Sequence, residues 1–235
     1  MKKLFLTIET SSFIIIYKLF TRNIEEGMMT IFNFEKNLKQ FLRMYPITVI
    51  YVCICIVFSL IIMIVFHGYS EESLLRMGAL SGNSIESGEL WRFVTYSFGH
   101  MSLFHLILNI PFLILLSRPL ENYYGIFLYP LILILLSVLA GMSVEFVQSS
   151  NYPLAGSSGI AYGLMGIYIY YVMFNKDKLN PDDRRFITTF SAIGFIMTFT
   201  IPDISIIGHL GGFTFGLLVG FIMDFLIKKE KRITD

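Results

Sequence analysis

Apolar residues in this chain run in long blocks rather than in short alternating patches. A helix that crosses a bilayer needs roughly 20 of them. Six stretches approach that length, at about 47–66, 102–118, 126–147, 158–174, 186–201 and 209–227. The fifth is short, so it either tilts little or lies in locally thinned bilayer. The predicted fold is all-α: a polytopic bundle of six transmembrane helices over 47–227, preceded by a cytoplasmic N-terminal segment 1–46 and followed by a basic tail 228–235. Ahead of the first span, Ile31, Phe34, Leu38, Phe41, Leu42 and Tyr45 recur at helical spacing among Lys36, Lys39 and Arg43. That stretch reads equally as an amphipathic helix on the membrane surface or as a short solvated helix. The opening "MKKLFLTIETSSFIIIYKLF" begins like a signal peptide, but Glu9 interrupts its apolar run and no small-residue cleavage site follows. The sequence leaves open whether translation begins at Met1, Met28 or Met29.

Composition agrees with membrane residence. Of 235 residues 55% are hydrophobic and only 15% charged, with a mean hydropathy of +0.68, whereas soluble domains carry about 25% charged residues. A net charge of +1 argues against a nucleic-acid partner. Cys53 and Cys55, two apart in an apolar run, point to different helix faces and suit packing better than a disulfide or a metal. Lys and Arg set the orientation. Sixteen of the 18 fall on one side of the alternating loops, which places both termini in the cytoplasm. Spans two, four and six then begin near the outer surface.

Polar residues cluster at those three beginnings, where they are costly and default to function. Span two opens on His100, His105 and Asn109, the last two sharing one helix face. Span four opens on Ser157 and Ser158 within "GSSGIAYGLMG", and span six on His209. His67 lies at the outer end of span one with no evident partner. A serine beside a histidine makes a nucleophile, because the imidazole takes the hydroxyl proton. The oxyanion that follows needs donors, which an Asn or His side chain and backbone N–H groups supply. Gly208, Gly212, Gly216 and Gly220 recur every four residues in span six, as do Gly159 and Gly163 in span four. Such stripes bring membrane helices close, and the Gly212 and Gly216 face carries His209 with it.

With these pieces in place, the chain resembles the rhomboid family of intramembrane serine proteases. The matching segments are "ELWRFVTYSFGH" at 89–100, "HLILN" at 105–109, "ENYYG" at 121–125, "GSSGIAYGLMG" at 156–166 and "HLGGFTFG" at 209–216. The resemblance implies a Ser158–His209 dyad without a carboxylate, and an oxyanion hole formed by His105, Asn109 and the Ser158 N–H. It assigns supporting places to Gly156, two before the serine, and to Tyr162, against the histidine. Trp91 and Arg92 match a loop embedded in the outer leaflet, His100 falls in the same matching segment, and Glu121 with Gly125 matches a Glu-x-x-x-Gly element. Ser158 rather than Ser157 fits Gly-x-Ser-Gly and stands four residues before Tyr162. The implied activity is cleavage of single-span transmembrane proteins within or beside their helices, favouring small residues at the cut and helix-destabilising sequence nearby. No cofactor, metal, nucleotide or nucleic acid is implied. The lipid bilayer is the other partner, and the expected location is a bacterial cell membrane with the active site toward the outer face.

Some residues depart from this pattern. Gly208 stands where the family has alanine. Pro111 leaves the Ile107 carbonyl without its usual partner, so span two bends there or a side chain or water compensates. Glu145 and Asp224 are expected to reach the membrane interface and carry no chemistry. Two other classes of function compete: a proteolytically dead scaffold that binds membrane helices, and a transporter or proton pathway built on the histidines. The first would lose Ser158 or His209, and the second would show an inverted pair of broken helices. Zinc chemistry lacks a His-Glu-x-x-His motif, and an aspartyl mechanism lacks facing intramembrane aspartates.

Overall fold

The computed structural model describes residues 28–33, 35–149, 151–202 and 204–234, with side chains described as far as residue 229. The signal-like start and Phe34 lie outside the described residues. Within them the chain is helical. In order come α1 (Leu38–Met44), α2 (Pro46–Ile64), the short α3 (Glu71–Arg76), α4 (Gly82–Glu86) and α5 (Arg92–Thr95), then α6 (Leu103–Gln148), α7 (Ser158–Phe174), α8 (Pro181–Thr200) and α9 (Ile206–Thr234). Among the described residues, three helices are long and apolar enough to cross a membrane: α2, α6 and the Ile206–Lys229 part of α9. The apolar α7, at 17 residues, is a little shorter.

Two expected spans fall in α6, which breaks only at Gly125, where φ is 79° and ψ 167°. That left-handed conformation suits glycine, which has no Cβ to clash, and it folds the 46-residue helix into two legs. Contacts with α7 give their directions. Along the first leg His105 lies beside Gly156 and the Leu116 carbonyl accepts from the Tyr168 hydroxyl, so the leg runs with α7. Along the second, the Tyr124 hydroxyl meets that of Tyr171, while Leu136 packs at Gly163 and Ala140 at Gly159, so the leg runs against α7. Helical dihedrals continue through Pro111, which rules out a break in span two at that point.

Glu121 ties the turn of this hairpin to the start of α2. Pro46 occupies the first turn of α2, and Tyr45 supplies no side-chain cap. The N–H groups of Ile47 and Thr48 instead donate to the Glu121 carboxylate at 2.7 and 2.8 Å, and the Thr48 hydroxyl donates at 2.6 Å. A buried acceptor here satisfies donors that the helix leaves free at its N-terminus.

Of the two readings of residues 31–45, the structure is nearer to the short solvated helix. Among the described residues ahead of α2, helix spans Leu38–Met44 and buries none of its residues. Ile31 is off the helix and fully buried. Its N–H donates to Asp183 Oδ2 at 3.1 Å, and its carbonyl accepts from Arg118 Nη2 at 3.2 Å. Arg118 also forms a buried ion pair with Glu35 at 2.9 Å. Long-range polar anchors, invisible to local periodicity, therefore hold Ile31 and Glu35 against the bundle.

At the centre, α7 packs against both α6 and α9. A Cβ on Gly212 or Gly216 would collide with the carbonyl oxygen of Gly159 or Gly163, and one on Gly166 with that of Phe213. The expected glycine contact between α7 and α9 is therefore present, with one refinement. Gly159 and Gly163 turn their own hydrogen faces to Ala140 and Leu136 of α6, so α7 is approached closely from two sides. Asp224 departs from expectation. It is buried, accepting from Tyr170 Oη at 2.9 Å and Asn175 Nδ2 at 2.8 Å, and only its Lys228 partner at 2.7 Å reaches the surface. Glu145 is half-buried and accepts from Ser149 Oγ at 2.9 Å.

Candidate active site

Three helix starts meet where the sequence placed its polar groups. Ser158 is the first residue of α7. The next residue, Gly159, faces the Gly208 carbonyl and lies under Gly212, so the segment carrying His209 crosses α7 beside the serine. Gly156 completes the approach from the first leg of α6. A Cβ there would lie 2.8 Å from His105 Cε1, 3.4 Å from His105 Nε2 and 3.7 Å from Ser158 Oγ. Only glycine leaves that space open, which explains the residue two before the serine.

The two serines have different surroundings. Ser157 is 1% exposed, and its hydroxyl lies 3.2 Å from His100 Nε2. The His100 and His105 rings meet edge to face at 5.2 Å. Ser158 is only half-buried, at the mouth of the same turn. His100 thus braces the turn through Ser157, while Ser158 Oγ and His105 both border the space beside Gly156.

Hydrogen bonding fixes the tautomer of His105. Its Nδ1 accepts from the Met101 N–H at 3.4 Å, so in the neutral ring Nε2 carries the proton and is a donor. Ser102 caps the helix at this point, accepting from the His105 N–H at 3.1 Å. Asn109 Nδ2 donates to the His105 carbonyl at 2.9 Å, which commits one amide hydrogen and leaves the second. The lost Pro111 N–H is not what Asn109 compensates, since its bond goes to His105 and not to Ile107.

His209 is held on two sides. Tyr162 stacks on its ring with centroids 3.9 Å apart and planes 13° apart, and Thr198 Oγ1 lies 2.9 Å from its Nδ1. The Tyr162 hydroxyl contacts Thr198 Oγ1 and the Gly194 carbonyl, both at 2.6 Å. Thr198 is the site residue that sequence reasoning missed. A threonine in a membrane helix ordinarily bonds the carbonyl four residues back, and Thr198 does so at 2.9 Å. Its second contact, across to α9, has no local signature.

The remaining candidates serve the scaffold. The buried Arg92 guanidinium donates to Glu89 at 2.7 Å and to the carbonyls of Leu75 and Ala79 at 2.7 and 2.8 Å, and it lies 4.6 Å from the Trp91 ring centre. It thereby ties the end of α3 and the turn after it to the start of α5. Trp91 is 49% exposed. Leu80, in the turn after α3, pairs with Leu154 through two backbone bonds of 2.9 and 2.8 Å, tying it to the turn that leads into Ser158. Glu121, at the opposite end of the first leg, binds the start of α2.

Residues 87–224 match the Rhomboid domain family. YdcA of Bacillus subtilis (strain 168), whose name assigns it provisionally as a rhomboid protease, is 26% identical over 84% of this chain and 97% of its own length. RHOMBOID-like protein 1 of Arabidopsis thaliana is 29% identical over 69% of this chain and 42% of its own length. Rhomboid protease GluP of Bacillus subtilis (strain 168) is 29% identical over 61% of this chain and 28% of its own length. The chain thus spans less than half the length of the latter two. The chain belongs to the Rhomboid family and is an integral membrane protease.

Proposed function

We propose that the enzyme hydrolyses peptide bonds within or beside the transmembrane helices of single-span membrane proteins, with Ser158 as nucleophile and His209 as general base. The observation that carries this reading is the convergence of three helix starts around Gly156 and Gly159, which brings the neighbourhoods of Ser158, His105 and His209 together. Ser158 Oγ attacks the scissile carbonyl while His209 takes its proton and then delivers it to the leaving amine. His105 Nε2–H, the free amide hydrogen of Asn109 and the Ser158 N–H stabilise the oxyanion. A substrate helix must unwind locally, because an intact helix hides its carbonyls in internal bonds.

The reading includes a six-span domain over 47–227 in a bacterial cell membrane, with both termini cytoplasmic and the site toward the outer face. The opposed directions of the α6 legs support it, as does the gathering of Lys176, Lys178, Arg184, Arg185 and Lys228 at the end remote from Ser158. The test is reconstitution with a panel of single-span proteins, comparing wild type with Ser158→Ala. Cleavage by wild type at sites in or next to the helix, absent in the variant, is the expected result. Equal cleavage by both would overturn the reading.

A further inference from the structure

The three oxygen atoms beside the ring of His209 carry a fixed number of protons, and counting them assigns the tautomer. Tyr162 Oη, Thr198 Oγ1 and the Gly194 carbonyl oxygen form a triangle with sides of 2.6, 2.6 and 2.9 Å. Thr198 Oγ1 makes a fourth short contact, 2.9 Å to His209 Nδ1. Each hydroxyl brings one proton, and the carbonyl brings none.

If Thr198 spent its proton on Nδ1, the three sides of the triangle would share the single proton of Tyr162. Two oxygen pairs at hydrogen-bond distance would then repel. If both hydroxyl protons stay inside the triangle, two of its sides are bonded. Thr198 then has a lone pair left for His209, and Nδ1–H donates to it. This arrangement satisfies three of the four short contacts instead of two. It is the opposite tautomer to His105, whose Nδ1 accepts from the Met101 N–H.

The geometry points to Thr198 as the positioning residue of the catalytic base: held by Tyr162 and Gly194, its hydroxyl accepts from Nδ1–H and so keeps the lone pair of His209 on Nε2. The inference rests on the Ser158–His209 reading. It gives a neutral hydroxyl, on α8, the orienting part that a carboxylate plays in a Ser-His-Asp triad. In turnover the imidazolium retains Nδ1–H and its Thr198 acceptor, so only the Nε2 proton travels between serine and leaving amine. Stacking on Tyr162 sets the plane of the ring, and Thr198 sets its rotation within that plane.

The experiment compares wild type, Thr198→Val, Thr198→Ser and Ser158→Ala on a fluorogenic transmembrane-segment reporter. Long-range proton–nitrogen correlation spectra of His209 in micelles identify the protonated ring nitrogen. Wild type should show Nδ1–H. Thr198→Val, equal in shape but without the hydroxyl, should lower kcat on the order of tenfold to a hundredfold with KM nearly unchanged, and should bring the Nε2–H form into the spectrum. Thr198→Ser should recover both. An Nε2–H signal in wild type itself overturns the inference even if the valine variant does not fold. Wild-type turnover by Thr198→Val, or lost turnover with His209 still wholly Nδ1–H, overturns it as well. Ser158→Ala separates the two layers: its activity would sink the dyad, whereas its inactivity beside a fully active Thr198→Val would sink only the role of Thr198.

Discussion

Gly212→Ala adds one methyl group, and its position makes it a severe test of how the site is built. The new Cβ would be driven into the carbonyl oxygen of Gly159, which is backbone and cannot rotate away. Gly159 follows Ser158 directly, and Gly212 stands three residues after His209. Relief therefore requires α7 and α9 to part by roughly 1 Å at the level of the dyad, a misplacement that costs on the order of 10²-fold in rate, or about 2.7 kcal/mol of barrier. Helix propensity acts the other way, since alanine favours a helix over glycine by about 1 kcal/mol. Gly220→Ala is the matched control. There the Cβ would lie 2.9 Å from the Tyr170 Cβ, about 18 Å along α7 from Ser158 at 1.5 Å per residue. The assay is cleavage of a single-span reporter at matched enzyme levels in proteoliposomes, with thermal unfolding in detergent as the fold control. Gly212→Ala should lose about 10²-fold in rate and Gly220→Ala much less. Full activity in a folded Gly212→Ala enzyme would refute the argument that this crossing sets the dyad distance.

Other outcomes follow from the same contacts. Glu121→Ala leaves the Ile47 and Thr48 donors without their acceptor and should cost roughly 3 kcal/mol of stability in detergent unfolding. Activity per folded molecule should stay near wild type, and an unchanged unfolding midpoint would remove the capping role. His105→Ala and Asn109→Ala should each lower kcat by about 10²–10³-fold, the size of one oxyanion donor, and wild-type turnover at saturating substrate would remove that residue from the hole. For topology, cysteines placed at Ser87 and Lys229 in a background lacking Cys53 and Cys55 report the two sides. An impermeant thiol reagent on intact cells should label the first and spare the second, and the reverse pattern would invert the orientation.

Much of the architecture was readable because membrane helices announce themselves by run length. The stretches near 47–66, 158–174 and 209–227 correspond to α2, α7 and α9, and the glycine spacing in 208–220 foretold the contact with α7. Candidate site residues stand out in the sequence where polar groups interrupt such runs, as His105, Asn109 and Ser158 do. Less accessible was anything set by distant partners. Ile31 carries an amphipathic-helix pattern, yet Asp183 and Arg118 capture its backbone in a non-helical segment. Glu121 looked like part of a motif, and its task of capping α2 depends on a fold-back 73–74 residues away. Thr198 resembles any threonine that bonds back within its own helix, and its contact with His209 exists only once α8 and α9 are packed. The α6 hairpin is an intermediate case: two apolar runs predicted two spans, while the abruptness of the turn comes from one left-handed glycine.

The central claim is that Ser158, and not its neighbour Ser157, attacks the substrate. Ser157 is buried against His100, whereas Ser158 stands half-buried beside His105. Covalent labelling by a fluorophosphonate, followed by mass spectrometry of the modified peptide, tests this directly in the membrane-reconstituted enzyme. Wild type and Ser157→Ala should carry the adduct on Ser158, and Ser158→Ala should carry none. An adduct on Ser157, or undiminished labelling of Ser158→Ala, would contradict the account.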